Sequence, residues 1–362
     1  ARDRVLLLME NSIEFYIFYF GIIQIGAIVV PVNTFLHERE LVHILQDAGP
    51  VVFICSSHRI DKIREYTEQL PPVIDQTIIN LDEKVDSTVD FEITQLPWDE
   101  MIALLYTSGT TGFPKGVMLS SKNILTNVVQ AVARFGFVKE HRILAALPLF
   151  HSFAQNICLW STITMGLTVI IVPKIDRRAL FKGFEHNPTI FIGVPALFGL
   201  ICLMKTIPLD SVEYFFSGGD ALPDKIRSYF SLIYRRKICS GYGITEASPI
   251  VSVDMDDIIE PTNSTGTVLS GIMCRITDEN GDSVTHNSMG NLWIKGDNIM
   301  LGYYNAPEVT DAVIKDGWFD TGDLAYFDEN KKLVITGRVK DLIINKGIKI
   351  YPQEVENVIL LH

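Results

Sequence analysis

Apolar residues dominate the first part of the chain. Phe15–Val32 is almost continuously apolar, with Gln24 its one strongly polar residue. A membrane span needs about 20 such residues, so the run is borderline on length. Gly21, Gly26 and Pro31 interrupt it, and Ala27–Val32 has the composition of a strand. The pattern predicts a buried helix running into a buried strand, not a bilayer span. Glu38–Ala48 follows as an amphipathic helix, with Leu41, Ile44, Leu45 and Ala48 on one face. Gly49-Pro50 supplies its stop, and Val51–Cys55 is the next apolar strand. Strand, helix and strand in that order make a βαβ unit, which implies a parallel sheet.

The alternation returns further along. Thr189–Val194 is predicted as a strand, with Pro195 opening a helix to about Lys205. Val212–Phe216 is a strand ending at Ser217-Gly218-Gly219, and Pro223 sits near the start of a helix to about Tyr234. Lys237–Cys239 is a short strand running into Gly241-Tyr242-Gly243. Two βαβ regions predict two packed α/β layers. Both glycine-rich loops fall at the carboxyl ends of strands, where such sheets bind ligands. Beyond about residue 250 the runs shorten, as at Leu292–Lys295, between stretches rich in Gly, Asn, Ser and Thr. A small β-rich subdomain is expected there, at about 251–337. Short strands then recur from Leu333 to Tyr351, and Pro352 opens a last helix with Gln353 and Glu354 in its first turn. The expected organisation is a large N-terminal domain over 1–337 and the start of a second, small domain at 338–362. The abrupt start at Ala1 and a last helix that would bury little point to a fragment of a longer protein.

Composition narrows the class. At 362 residues the chain is long enough for two or more domains with a large core. Its 48% hydrophobic and 20% charged residues are ordinary for a soluble globular protein. A formal net charge of −12 argues against a nucleic-acid partner. It also requires any polyphosphate site to be basic locally, against the global field. Cys55, Cys158, Cys202, Cys239 and Cys274 are far apart and form no CxxC, so they are expected as buried thiols in a reducing compartment. No signal-peptide pattern is visible, and a cytoplasmic location is expected.

The most specific chemistry lies in Tyr106–Gly116, YTSGTTGFPKG, between the apolar runs Met101–Leu105 and Val117–Leu119. This is a strand, a hydroxyl-rich loop and a second strand. Backbone N–H groups, the hydroxyls of Thr107, Ser108, Thr110 and Thr111 and the cation of Lys115 suit a polyphosphate. The loop is not GxxxxGK[ST], because Pro114 and Gly116 stand where that motif needs Gly and Ser or Thr. Gly241-Tyr242-Gly243-Ile244-Thr245-Glu246 combines a ring that can stack on a purine, a hydroxyl for a phosphate oxygen and a carboxylate for magnesium. Asp323, in Thr321-Gly322-Asp323, can accept two hydrogen bonds from a ribose diol.

These segments, in this order across nearly the whole chain, resemble the adenylate-forming superfamily of acyl-CoA synthetases, luciferases and peptide-synthetase adenylation domains. The resemblance implies an α/β fold: two packed α/β subdomains with a small β-rich subdomain, forming a large N-terminal domain, plus the start of a small α+β C-terminal lid. It places Thr107, Ser108, Gly109, Thr110, Thr111, Gly112 and Lys115 on the outer phosphates of ATP. Gly218, Gly219 and Asp220 would lie against adenine, with Gly241, Tyr242 and Gly243, Tyr242 stacking on the ring. Thr245 would contact the α-phosphate and Glu246 hold Mg2+. Asp323 and Arg338 would take the ribose, Arg338 also reaching phosphate, and Lys340 would be the hinge of the lid. Lys346-Gly347-Ile348-Lys349 resembles the turn that a second lid state brings to the thioester-forming site.

Pro148–Phe153 resembles the segment beside the carboxylate substrate. Members that activate amino acids usually carry an aspartate where His151 stands, to pair with the substrate ammonium. Histidine supplies no such charge, so an acid without an α-amino group is expected. The implied activity is that of an ATP-dependent acid:CoA ligase, most like bacterial medium- and long-chain fatty-acyl-CoA synthetases, with Thr245, Glu246, Lys115 and His151 as the catalytic set. ATP, Mg2+ and coenzyme A are the implied cofactor and co-substrates. An aryl acid of the coumarate type, a carrier-protein acceptor and a luciferase-type reaction are the alternatives. Small-molecule partners are expected, and no nucleic acid. Peripheral membrane association through a lipid substrate and homodimerisation are compatible with this reading. A second catalytic lysine, late in the family's C-terminal domain, has no counterpart before His362, so the chain as given is expected to bind ATP but adenylate poorly.

Overall fold

The computed structural model describes residues 2–56, 93–107, 113–204, 206–256, 264–341, 355 and 359, and the backbone alone of 73–75, 343–345 and 348–350. Ser108 to Gly112, Lys346, Gly347 and the expected helix start at Pro352 lie outside the described residues.

Two large sheets carry the chain. The first has seven strands in the order Gly302–Tyr303, Lys115–Ser120, Met101–Thr107, Ile28–Pro31, Arg4–Leu8, Val52–Cys55 and Val73–Asp75. From Met101–Thr107 to Val73–Asp75 the pairing is parallel, as the βαβ reading requires. Alternate residues explain its burial. Val5 and Leu7 join the main core, while Leu6 and Leu8 face a second cluster with Ile28, Val30, Ile44 and Phe53. Both faces are covered, so these strands read as unbroken apolar runs.

Helix Glu38–Ala48 covers the second cluster with Ile44 and Ala48 and stops at left-handed Gly49. The long apolar run resolves into helix Ile13–Gln24, N-capped by Ser12, whose Oγ accepts from the Phe15 N–H at 3.2 Å. Phe15, Tyr19 and Ile22 turn inward, and the chain re-enters the sheet at Ile28. Among the described residues no helix is long and apolar enough to cross a membrane.

Among the described residues the second sheet has twelve strands, one of them the short Ile314–Lys315 that pairs only with Trp318–Phe327. Thr168–Ile171, Arg142–Ala145, Ile190–Gly193, Tyr214–Ser217 and Cys239–Gly243 are parallel neighbours. The direction then changes. Ile250–Val253, Ser264–Val268, Leu333–Arg338, Trp318–Phe327, Gly290–Lys295 and Met273–Thr277 continue the sheet as antiparallel strands. The β-rich region is thus hydrogen-bonded edge-on to the parallel half. A separate hairpin pairs Ile343–Asn345 with Ile348–Ile350.

Buried asparagines tie the layers together. Asn127, on helix Ser121–Phe135, donates to Ile250 O at 2.7 Å and accepts from the Ile250 N–H at 2.9 Å. Asn11 donates to Leu147 O at 2.9 Å and accepts from the Leu149 N–H at 2.8 Å. Two such bonds satisfy most of a buried amide's capacity and fix one sheet against the other.

Two expectations are corrected. Gly241-Tyr242-Gly243 is not a loop after the strand but the strand itself, paired with Ile250–Val253. The reason is close backbone approach: a Cβ on Gly243 would stand 2.4 Å from Pro249 O, and one on Gly241 3.1 Å from Ser252 O. None of the five cysteines is in a disulfide, but only Cys55, Cys158 and Cys239 are buried, while Cys202 and Cys274 keep partial exposure. Cys202 closes the exposed end of helix Pro195–Cys202, and Cys274 lies on Met273–Thr277 at the rim of the second sheet.

Candidate active site

A cavity of about 620 Å³ opens where the two sheets meet. Its lining includes Thr107 and Pro114 from the first sheet, Gly218 and Gly219 after strand Tyr214–Ser217, all of Gly241–Glu246, His151–Phe153, and Arg338. Another part of its wall is apolar: Phe135, Leu147, Phe150, Phe216, Cys239, Ile250 and Val253. The Phe135 and Phe216 rings lie 4.6 Å apart between centroids, backing one another at that wall.

Thr245 and Glu246 sit on a single 3-10 turn, Thr245–Ala247, directly after the glycine strand. The turn is fixed from outside: Met300 N–H donates to Glu246 O at 2.8 Å, and Asn298 Nδ2 to Ala247 O at 2.8 Å. Thr245 Oγ1 and Ser152 Oγ are hydrogen-bonded at 3.0 Å, joining the turn to the segment that carries His151. The Tyr303 hydroxyl donates to Glu246 Oε1 at 2.8 Å. Burial, with the Glu246 charge second, raises the Tyr303 pKa far above the ordinary tyrosine value, so the hydroxyl keeps its proton and remains a donor. Lys115 opposes Thr107 in the hairpin register, and its Nζ stands 5.3 Å from the Tyr303 ring centroid.

The other end holds the aromatic and ribose candidates. The Phe153 ring lies against Gly218, 3.3 Å from where a Cβ would stand, so a side chain at 218 would crowd that ring. The Tyr242 hydroxyl donates to Asp323 Oδ2, and Arg338 Nε pairs with Asp323 Oδ1 at 3.2 Å. Burial raises the Tyr242 pKa, with the Asp323 charge second, so the phenol stays protonated. Asp323 is only 3% exposed and sits behind Tyr242 and Arg338, which reach the cavity themselves. Burial pushes its pKa up, opposed by the Tyr242 hydrogen bond and then the Arg338 charge.

His151 precedes Ser152–Ala154, its ring 4.4 Å from that of Phe150. Desolvation by the surrounding protein lowers its pKa, which favours the neutral ring, although the residue is exposed and lines the cavity. The chain then winds as a π-helix over Gln155–Trp160, a form that recurs next to functional sites.

Thr107, Lys115, His151, Gly218, Gly219, Gly241, Tyr242, Gly243, Thr245, Glu246, Asp323 and Arg338 thus come together at or directly behind one cavity. Asp220 does not. It is exposed, and its carboxylate accepts from the Ala221 N–H at 2.8 Å, capping its own turn. Lys340 is exposed in the 3-10 turn Val339–Asp341 that follows Arg338. Tyr303 and Ser152 have site contacts that sequence reasoning missed. Gly302-Tyr303 carries no motif, and its place depends on a two-residue strand added to the edge of Lys115–Ser120.

The donor set suits a hard divalent cation. Glu246 lines the cavity with one oxygen held by Tyr303, and among the described residues no hydrogen bond engages the other. Among the described residues no group of three or more His, Cys, Asp or Glu side chains could cage a metal. A single carboxylate is what Mg2+ uses when phosphate oxygens and water complete its shell.

The family described as AMP-binding enzyme matches residues 1–304. A long-chain-fatty-acid–CoA ligase of Salmonella typhimurium is 31% identical over an alignment of 403 positions, covering 99% of this chain and 72% of that protein. The 4-coumarate–CoA ligase 3 of Arabidopsis thaliana is 32% identical over 392 positions, covering 99% of this chain and 68% of that protein. Among solved structures, O-succinylbenzoate coenzyme A synthetase (MenE) from Bacillus subtilis, in complex with ATP and magnesium ion, matches with a TM-score of 0.90 at 27% identity, covering 99% of this chain and 75% of that one.

Proposed function

The chain belongs to the AMP-binding enzyme family, and from that membership we propose that it carries the nucleotide and acid sites of an ATP-dependent acid–CoA ligase that activates a fatty acid. A carboxylate is a poor electrophile because its leaving group would be oxide. Its oxygen attacks the α-phosphorus of ATP, pyrophosphate leaves, and an acyl-adenylate forms. The thiol sulfur of coenzyme A then attacks the acyl carbon, AMP leaves, and the thiol proton passes to solvent.

In this reading the side chains divide the work by position. Thr245 hydrogen-bonds the α-phosphate, its hydroxyl oriented by Ser152. Lys115, with Thr107 opposite, neutralises the outer phosphates. Glu246 holds Mg2+, which when bound supplies charge neutralisation on the phosphates. Tyr242 stacks on adenine with Gly218 and Gly219 beneath, and the Asp323–Arg338 pair takes the ribose. Residues 1–337 act as the nucleotide- and acyl-binding domain, with Lys340 as the hinge of a lid. Cytoplasmic location, with the acid drawn from a membrane surface, accords with this reading.

The observation that carries the acid class is the wall of Phe135, Leu147, Phe216, Ile250 and Val253, which bears no charge. His151 supplies no negative charge to pair with a substrate ammonium. An alkyl chain against that wall gains about 0.8 kcal/mol per buried methylene. Pyrophosphate release by the full-length protein, screened with acids of graded chain length, coumarate and amino acids, tests the reading. Release is expected with medium or long alkyl acids, and thioester only when CoA is added. Release with amino acids alone, or acyl transfer to a carrier protein but not to CoA, would overturn it.

A further inference from the structure

Lys115 and Glu246 carry opposite charges in one site, yet among the described residues no ion pair joins them. Tyr303 stands between. Its hydroxyl holds Glu246 Oε1 at 2.8 Å, and its ring lies 5.3 Å from the Lys115 ammonium. The side chain is 8% exposed and its backbone is fixed on both flanks. Gly302–Tyr303 pairs with Val117 and Met118 in the strand that begins at Lys115. The Tyr303 N–H donates to Thr310 Oγ1 at 2.8 Å, and the next residue's N–H to Gly116 O at 2.8 Å. The backbone that carries the phenol is therefore held by hydrogen bonds that involve neither of the two charges.

We propose that Tyr303 is a positioning residue that keeps Lys115 and Glu246 apart, so that each stays available to its own part of a metal–nucleotide ligand. A direct Lys–Glu ion pair would occupy both groups with each other. The ring offers the ammonium a weaker attraction that phosphate oxygens can outcompete. The hydroxyl fixes one carboxylate oxygen and does not engage the other. This inference rests on the assignment of Glu246 to Mg2+ and Lys115 to phosphate.

Nucleotide binding by calorimetry, without turnover, separates the parts. Wild type is expected to bind ATP more tightly as Mg2+ is added. Tyr303→Phe keeps the ring and loses the hydroxyl. The Mg2+ concentration needed for half of the gain should rise about 5–10-fold, with AMP affinity within about twofold of wild type. Tyr303→Leu also removes the ring. ATP affinity without metal should then fall about 5–10-fold as Lys115 pairs with Glu246. Adding Glu246→Gln to Tyr303→Leu should restore that metal-free affinity. Unchanged Mg2+ dependence in Tyr303→Phe, while wild type shows it, would overturn the role of Tyr303 and leave the function intact. No Mg2+ dependence in wild type would overturn the assignment of Glu246 and this inference with it. Thermal unfolding of each variant guards against a misfolded protein; a Tyr303→Phe that unfolds as wild type does and still loses its Mg2+ response supports the proposal.

Discussion

Replacing Glu246 by glutamine is expected to lower adenylate formation by about 100-fold or more, roughly 3 kcal/mol of transition-state stabilisation. The substitution preserves shape. A glutamine carbonyl oxygen can still accept from the Tyr303 hydroxyl, and the turn keeps its anchor from Met300. What disappears is the negative charge of the carboxylate that faces the cavity. In-line attack on the α-phosphorus spreads charge over phosphate oxygens, and a metal neutralises it only if the protein holds the metal in place. AMP affinity should change little, since AMP lacks the outer phosphates. Pyrophosphate exchange on the full-length enzyme measures the effect. A near-normal rate in the Glu246→Gln enzyme would remove Glu246 from the mechanism.

Lys115→Ala is expected to weaken ATP binding about 10–30-fold while AMP binding shifts by less than about threefold. A charge-assisted hydrogen bond contributes about 1.5–3 kcal/mol, which covers that range. The discrimination follows from placement. Lys115 opposes Thr107 at the start of the loop that the resemblance assigns to the outer phosphates, whereas Tyr242, Asp323 and Arg338 form a cluster of their own. The lysine is half-buried on a hairpin strand, so removing its ammonium should not collapse the sheet. Parallel titrations of ATP and AMP give the ratio. Equal losses for both nucleotides would place Lys115 away from the outer phosphates.

What the sequence made legible was whatever is local. Leu41, Ile44, Leu45 and Ala48 share a face because 3.6 residues make a turn, and Gly49 can adopt the left-handed stop. The parallel order followed from strand–helix–strand spacing. Thr245 and Glu246 were visible because one short turn holds both. Contacts between distant segments were not. The Tyr303–Glu246 bond exists only because a two-residue strand adds to the edge of the first sheet. Asn127 and Asn11 bind backbone far along the chain, and nothing in their neighbours announces it. Asp220 adjoins Gly219 in sequence, but a carboxylate beside its own next N–H caps that group more readily than it reaches a ligand. Gly241 and Gly243 looked like a loop because glycine usually marks one; here two backbones approach closely, too closely for a Cβ at Gly243.

In the proposed reading, one cavity holds a nucleotide and an apolar acid together. Non-hydrolysable acyl-sulfamoyl adenosines of increasing chain length, titrated against this chain, test it most directly, because binding needs no turnover. Affinity is expected to exceed that for AMP and to rise by up to about fourfold per methylene until the apolar wall is filled. Phe216→Ala should then move that limit to longer chains. An affinity equal to that for AMP at every chain length would mean that no acyl site adjoins the nucleotide site.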